Sequence, residues 1–175
     1  MKENMTMVPD SEKVKDPVCQ MLVAPDQYAI NYQGVDFAFC SQQCQDRFMA
    51  NPHLYIGVPG ERAPKQAGQE VLKRRSLHLE TPLSNDEAQQ VSQQLLAMMG
   101  VYAVDIDAAE LTITYDLLQA TAEQIEATLQ QAGARLGSGW GERLRRAFVH
   151  YLEETEVASR EVQPGFHGHG GHRHN

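Results

Sequence analysis

The sequence predicts an α+β fold of two small units, and three observations support this. Strand patterns, in which apolar residues alternate, are mixed with helix patterns of 3.6-residue period. A stretch rich in glycine and proline, "GVPGERAPKQAG", interrupts these patterns and is typical of a linker. The predicted order is a flexible lead-in (1–15), a hairpin-plus-helix unit (16–56), the linker (57–70), a β-α-β-β-α-β unit (71–137), an amphipathic C-terminal helix (138–161) and a tail rich in histidine and glycine (162–175).

The first unit combines a predicted β-hairpin with a short helix. Apolar residues alternate on both sides of the turn dipeptide Gln33-Gly34, at Tyr28, Ile30, Tyr32, Val35, Phe37 and Phe39. The helix is expected at 41–50, with Cys44 and Phe48 one turn apart on one face. Asn51-Pro52 then ends the helix, because proline disfavours helical geometry in the residue before it.

The second unit has the order strand, helix, strand, strand, helix, strand, which is the ferredoxin-like arrangement. Strands are expected at 76–81, 101–106 and 111–115, with a last strand ending near Leu136. Helices are expected at 85–99 and 122–133, and a capping box marks the start of each, formed by Ser84 with Glu87 and by Thr121 with Gln124.

The C-terminal helix is expected at 142–159 and carries one apolar stripe. The stripe consists of Leu144, Phe148, Tyr151, Leu152 and Thr155. It predicts docking on the preceding unit or on a partner helix. A membrane surface is a weaker interpretation, because the helix has few basic residues.

Composition excludes several classes of function. The net charge of −8 argues against nucleic acid, which attracts a basic surface. The N-terminal residues contain no apolar run of signal-peptide length, and no later window resembles a membrane span. We therefore expect a soluble, cytoplasmic protein that does not insert into a membrane.

All three cysteines fall within the first unit. An odd number in a reducing compartment argues against a disulfide framework. The hairpin would return the chain so that Cys19 approaches Cys40 and Cys44 at the start of the helix. Free amides and the helix dipole favour thiolates there. Three thiolates favour Cu(I), since structural zinc usually takes four ligands.

Several alternatives stay open. Asp16, Met21 and His53 are candidate fourth ligands. The cysteines could instead be small buried apolar residues, or one could be a catalytic thiol, for which no supporting acid is apparent. No acid–base pair, phosphate loop or cofactor motif is found either, so we expect no enzymatic activity. A Zn(II) ion that holds the hairpin to its helix, in an interaction or regulatory module, is the alternative metal.

The segments "DPVCQM" and "FCSQQC", followed by Phe48 and Asn51-Pro52, resemble the YHS domain, which is related to the TRASH metal-binding group. The resemblance covers residues 16–55. It implies a small heavy-metal module of the kind attached to copper-transporting ATPases and found in metal-resistance proteins, with Cys19, Cys40 and Cys44 at the sulfur positions. Gln20 stands where the family usually has glycine.

The second unit is similar to the heavy-metal-associated domain of copper chaperones, most clearly in "GVYAVDIDAAELTITYD" and "TAEQIEATLQQAGARLG". That family binds Cu(I) through Met-x-Cys-x-x-Cys. In this chain Pro82, Ser84 and Glu87 occupy the corresponding positions, so both cysteines are missing. We expect a unit without soft metal that serves as a scaffold, a dimerisation surface or a docking surface for a partner.

The tail carries four histidines that alternate with other residues, mainly glycine, at His167, His169, His172 and His174. Imidazole binds Cu(II), Ni(II) and Zn(II), so the tail predicts a secondary site of low affinity; a solvated terminus without a role is the alternative.

Together the patterns predict copper trafficking, buffering or resistance. The expected partners are the metal ion and a heavy-metal transporting P-type ATPase or another copper protein, and a homo-oligomer is an open alternative.

Overall fold

A computed structural model describes residues 12–161 and has an α+β fold. The four histidines of the tail lie outside the described residues, as does most of the lead-in. Within residues 12–161, no helix combines the length and the apolar character needed to cross a membrane.

Two short antiparallel ladders form the first unit. Strand β1 (Val14–Lys15) pairs with β2 (Leu22–Val23), so the first strand begins two residues before the predicted unit. The predicted hairpin is present as β3 (Ile30–Tyr32) and β4 (Val35–Phe37). Gln33 and Gly34 have φ of 52° and 82°, the left-handed geometry that suits a tight hairpin turn.

Helix α1 (Gln42–Ala50) follows the hairpin, as predicted. Ser41 caps its start, since the hydroxyl accepts a hydrogen bond from the amide of Cys44. A 3₁₀ helix (Pro52–Leu54) follows directly. Phe48 anchors α1 to the hairpin, because its ring packs against Tyr32, Phe37, Phe39 and Tyr55 with centroid distances of 4.9 to 6.1 Å.

The second unit contains β5 (Leu72–His78), α2 (Asn85–Leu96), β6 (Val101–Asp107), β7 (Glu110–Asp116) and α3 (Ala122–Gln131). The strands form an antiparallel sheet of order β5-β7-β6. Both predicted capping boxes are present. The expected last strand is represented by a single bridge between Leu79 and Leu136. The paired segment there is therefore much shorter than the sequence predicts.

Helix α4 (Trp140–Glu161) is longer than predicted and docks by a different face. Glu153 and Val157 are each 3% exposed, and Glu153 accepts hydrogen bonds from the Tyr115 hydroxyl and from the amide of Ala122. The predicted apolar stripe points away from the protein, with Phe148 60% and Tyr151 63% exposed.

Hydrogen bonds join the first unit to the second, between residues that precede and residues that follow the segment 57–70. The Gln43 side chain donates to the carbonyls of Met99 and Gln119 (2.8 and 3.1 Å), and it accepts from the Met99 amide. Arg47 donates to the Leu117 carbonyl, and Tyr55 donates to the Leu118 carbonyl at 2.6 Å. Helix α1 therefore lies on the segment that follows β7.

Candidate metal centre

The loop after β1 is organised by the buried carboxylate of Asp16. Its Oδ1 atom accepts from the amides of Val18 (2.8 Å) and Cys19 (3.3 Å). Its Oδ2 atom accepts from the amide of Cys40 at 2.8 Å, twenty-four residues along the chain. One side chain thus fixes the two backbone segments that carry Cys19 and Cys40.

A tight turn presents Cys19. The Asp16 amide donates to the Met21 carbonyl, and the Gln20 amide donates to the Asp16 carbonyl, both at 2.9 Å. Gln20 has a φ of 70°, in the left-handed region that costs a residue with a Cβ about 1 kcal/mol more than glycine. Glycine, which the YHS resemblance implies at this position, would adopt this geometry without that cost.

The hairpin returns the chain to this turn. The amide of Phe39 donates to the Gln27 carbonyl at 3.0 Å, and the Gln27 side chain donates to the carbonyl of Cys40 at 3.0 Å. Cys40 precedes the cap residue Ser41, and Cys44 lies in the first turn of α1. Gln27 is a supporting residue that the sequence analysis missed, and no sequence signal distinguishes it from other surface glutamines.

The three sulfur atoms converge. The Sγ atoms of Cys19 and Cys40 lie 3.4 Å apart, and those of Cys40 and Cys44 lie 3.5 Å apart. Together with an Asp16 oxygen, their ligand atoms all lie within 4.8 Å of one another. None of the three is in a disulfide. Cys44 is fully buried, whereas Cys19 and Cys40 are partly exposed, so a ligand can reach the cluster from their side.

Electrostatics in the ion-free cluster favour one thiolate rather than three. Hydrogen bonding from Cys44 lowers the pKa of Cys19 to about 7, although burial opposes this. Burial raises the pKa of Cys40 to about 11. Donation to Cys19, followed by burial, raises the pKa of Cys44 well above its usual value. The sequence predicted that the helix start favours thiolates at Cys40 and Cys44. In the ion-free cluster the opposite holds, because burial raises the pKa of Cys40, and donation to Cys19 together with burial raises the pKa of Cys44.

The sulfur spacing is compatible with a metal ion. Around a tetrahedral ion with metal–sulfur bonds of about 2.3 Å, neighbouring sulfurs lie about 3.8 Å apart. The observed distances of 3.4 and 3.5 Å therefore need to widen by about 0.3 to 0.4 Å. Such an ion would stabilise thiolates on Cys40 and Cys44, because its positive charge offsets their mutual repulsion.

The candidate fourth ligands differ in their surroundings. Both oxygens of Asp16 already accept hydrogen bonds from backbone amides. Among the described residues, His53 is not part of the cluster; its amide donates to Glu161, and its Nδ1 atom is buried without a hydrogen bond. Met21 lies two residues after Cys19 and is 48% exposed, and it stays a candidate.

Comparison with protein families agrees with this geometry. Residues 14–58 match the YHS domain. The matched segment contains the whole cysteine and aspartate cluster, and it begins at β1, two residues before the resemblance found in the sequence. Comparisons with curated proteins and with solved structures found no significant match. No family match supports the heavy-metal-associated resemblance of the second unit, which stays a prediction.

Outside residues 14–58, called here the YHS segment, Ser84 and Glu87 lie at the start of helix α2. The Ser84 hydroxyl accepts from the amide of Glu87, and the Glu87 carboxylate accepts from the amide of Ser84 at 2.8 Å. Hydrogen bonds from the Ser84 hydroxyl (2.6 Å) and from the Ser84 amide to this carboxylate lower the pKa of Glu87. Ser84 and Glu87, which stand where the heavy-metal-associated resemblance implies two cysteines, thus satisfy each other's hydrogen bonds.

Proposed function

We propose that this protein binds Cu(I) through Cys19, Cys40 and Cys44 for copper trafficking, buffering or resistance in the cytoplasm. The observation that carries the proposal is the convergence of three sulfur atoms at contacts of 3.4 and 3.5 Å. Sulfur is a soft ligand that selects soft ions, and the cluster includes no histidine among the residues described. The match to the YHS domain supports metal binding at the same residues.

Within this proposal Asp16 is a positioning residue rather than a ligand. Its oxygens hold the amides of Val18, Cys19 and Cys40, and carboxylate oxygen is a hard ligand that Cu(I) does not prefer. Partial exposure of Cys19 and Cys40 leaves one side of the ion open to an incoming thiolate. Exchange with a transporting ATPase or another copper protein would proceed by replacing these sulfurs one at a time, without chemistry on a substrate.

The second unit acts as a metal-free scaffold of ferredoxin-like type in this proposal. The strand order β5-β7-β6 and the Leu79–Leu136 bridge beside β5 support that arrangement. Gln43 and Arg47 hold α1 to the backbone of this unit, which would restrict movement of Cys44. The histidine tail would collect Cu(II), Ni(II) or Zn(II) with lower affinity.

A structural Zn(II) site is the second candidate, because Asp16 and the three cysteines supply four potential ligand atoms within 4.8 Å. In that case the ion would hold the loop of Cys19 to α1, and the protein would act through contacts with other proteins. Removal of the ion should then unfold the YHS segment.

The test is an anaerobic titration of the full chain with Cu(I) and with Zn(II), each in competition with a chelator of known affinity. We expect one Cu(I) ion per chain, bound tightly and retained in the presence of excess Zn(II). Replacement of all three cysteines by serine should abolish this binding. A variant lacking residues 166–175 serves as the matched control and should keep it.

Two results would overturn the copper proposal. Tight Zn(II) binding, with loss of the fold when zinc is removed, would favour the structural site. Binding that survives the triple serine variant but disappears with the tail would place the site in the histidines. Circular dichroism of each metal-free variant separates loss of ligands from loss of folding.

A further inference from the structure

Helix α4 presents an apolar face to solvent. Four large side chains on it are 43 to 63% exposed: Leu144, Phe148, Tyr151 and Leu152. They repeat at helical spacing and form one stripe, and exposed Thr155 extends it by a turn. Contiguous apolar surface of this kind usually marks an interaction site.

The docked side of α4 differs from this stripe. Val157 is buried, and Glu153 is held by Tyr115, Ala122 and the nearby Arg75. Arg146 lies 3.5 Å from the Glu126 carboxylate. The helix is thus fixed to its own protein by polar contacts and leaves its apolar stripe without an intramolecular partner among residues 12–161.

Charges on the two flanks of the stripe are arranged along the helix in a regular way. Arg143 and Glu154 lie about three turns apart, and therefore on the same flank. Arg145 and Glu156 have the same separation and lie on the opposite flank. Each of these pairs thus places a basic residue in the first half of its flank and an acidic residue in the second half.

We propose that the stripe binds the same stripe of a second copy of this chain, with the two α4 helices antiparallel. In a two-fold antiparallel pair, each flank meets the identical flank running in the opposite direction. Arg143 of one copy then faces Glu154 of the other, and Arg145 faces Glu156, with Phe148 and Tyr151 at the centre. A parallel pair would instead place like charges together.

The size of the stripe determines how tightly we expect the two copies to bind. The stripe has five residues on one helix, whereas each partner of a standard interface contributes about 20–30 residues. We therefore expect a reversible dimer with a dissociation constant on the order of micromolar. Glu156 also pairs with Lys73 in its own chain, so the flank of Arg143 and Glu154 should contribute more to specificity.

Sedimentation velocity of the full chain, from roughly 1 to roughly 500 µM, measures this equilibrium. The wild type should shift from monomer to dimer across the range. Phe148→Gln should weaken association about tenfold or more, since the residue contributes twice to a symmetric interface. A chain that stays monomeric at every concentration would overturn the proposal and leave the stripe to another protein or to a segment outside residues 12–161.

A charge-swap experiment tests the antiparallel direction. Arg143→Glu and Glu154→Arg should each weaken the homodimer about tenfold, because each places like charges together twice. An equimolar mixture of the two variants should associate as strongly as the wild type, because both inter-chain pairs are then opposite in charge. Homodimers unaffected by either substitution, or a mixture no stronger than its components, would refute this arrangement. Circular dichroism and Cu(I) titration should be unchanged in both variants, since neither residue lies in the cysteine cluster.

Discussion

At the scale of single residues, the geometry of the cysteine cluster depends on Asp16. Its fully buried carboxylate accepts hydrogen bonds from three backbone amides, two in its own turn and one at Cys40. Hydrogen bonds from backbone amides to a carboxylate are among the stronger ones in proteins. Cys19 and Cys40 therefore hold their separation before any ion arrives.

Asp16→Asn should weaken metal binding by about 10- to 100-fold, the usual cost of losing a residue that orients ligands. Asparagine has nearly the same shape, but its NH₂ group cannot accept a hydrogen bond. One backbone N–H group that Asp16 now satisfies would therefore lose its acceptor. Chelator competition measures the effect, with Asp26→Asn as the control, because Asp26 is exposed and carries the same charge. Equal losses for Cu(I) and Zn(II) are expected of a positioning residue. A loss confined to Zn(II) would instead identify Asp16 as a zinc ligand.

The sequence predicted that the three cysteines converge, but it did not predict the hydrogen bonds that hold them. The spacing of Cys19, Cys40 and Cys44 around a recognisable hairpin was sufficient, because local turn chemistry determines where the chain returns. Asp16 was predicted only as a candidate ligand. Its hydrogen bond to Cys40 joins residues far apart in sequence, which no local pattern encodes.

At the scale of elements, helix starts were predicted well and docking faces were not. Both capping boxes are local signals within three residues and are present in the structure. The stripe of α4 was expected to allow docking on the preceding unit, yet that unit binds the other side through Glu153 and Val157. Periodicity identifies an apolar face, whereas the partner of that face depends on tertiary geometry.

Helix α1 offers a direct test of element docking at Gln43. Gln43→Ala removes three hydrogen bonds to Met99 and Gln119, and should lower the free energy of unfolding by about 1–3 kcal/mol. Gln42→Ala is the matched control, because its hydrogen bonds to Gln45 and Asp46 are exposed and should contribute under about 0.5 kcal/mol. Urea unfolding followed by circular dichroism compares the two variants. Similar midpoints would show that the contact between α1 and the second unit contributes little stability.

At the scale of the whole molecule, Asp116 links segments from three parts of the chain. Its carboxylate accepts from the amides of Val71 and Leu118, from the Gln119 side chain and from Lys65 Nζ at 3.1 Å. Lys65 lies in the predicted linker, where its amide also donates to the carbonyl of Leu54 at 2.9 Å. The network therefore holds residues 57–70 against the end of β7.

This network should make stability depend on pH. Burial opposes ionisation of Asp116, but its hydrogen bonds and Lys65 outweigh burial and hold the carboxyl pKa below its usual value. A lower pKa in the folded state stabilises the protein above the unfolded pKa of about 3.9, and this stabilisation is lost as pH falls towards the folded value. Asp116→Asn should therefore unfold more easily at pH 7, and its stability should fall less steeply than that of the wild type below about pH 4. Urea unfolding between pH 7 and pH 3 measures both slopes, with exposed Asp107→Asn as the control. Parallel slopes for the wild type and Asp116→Asn would mean that the pH dependence arises from other carboxylates, because a neutral side chain at position 116 cannot take up a proton in this range.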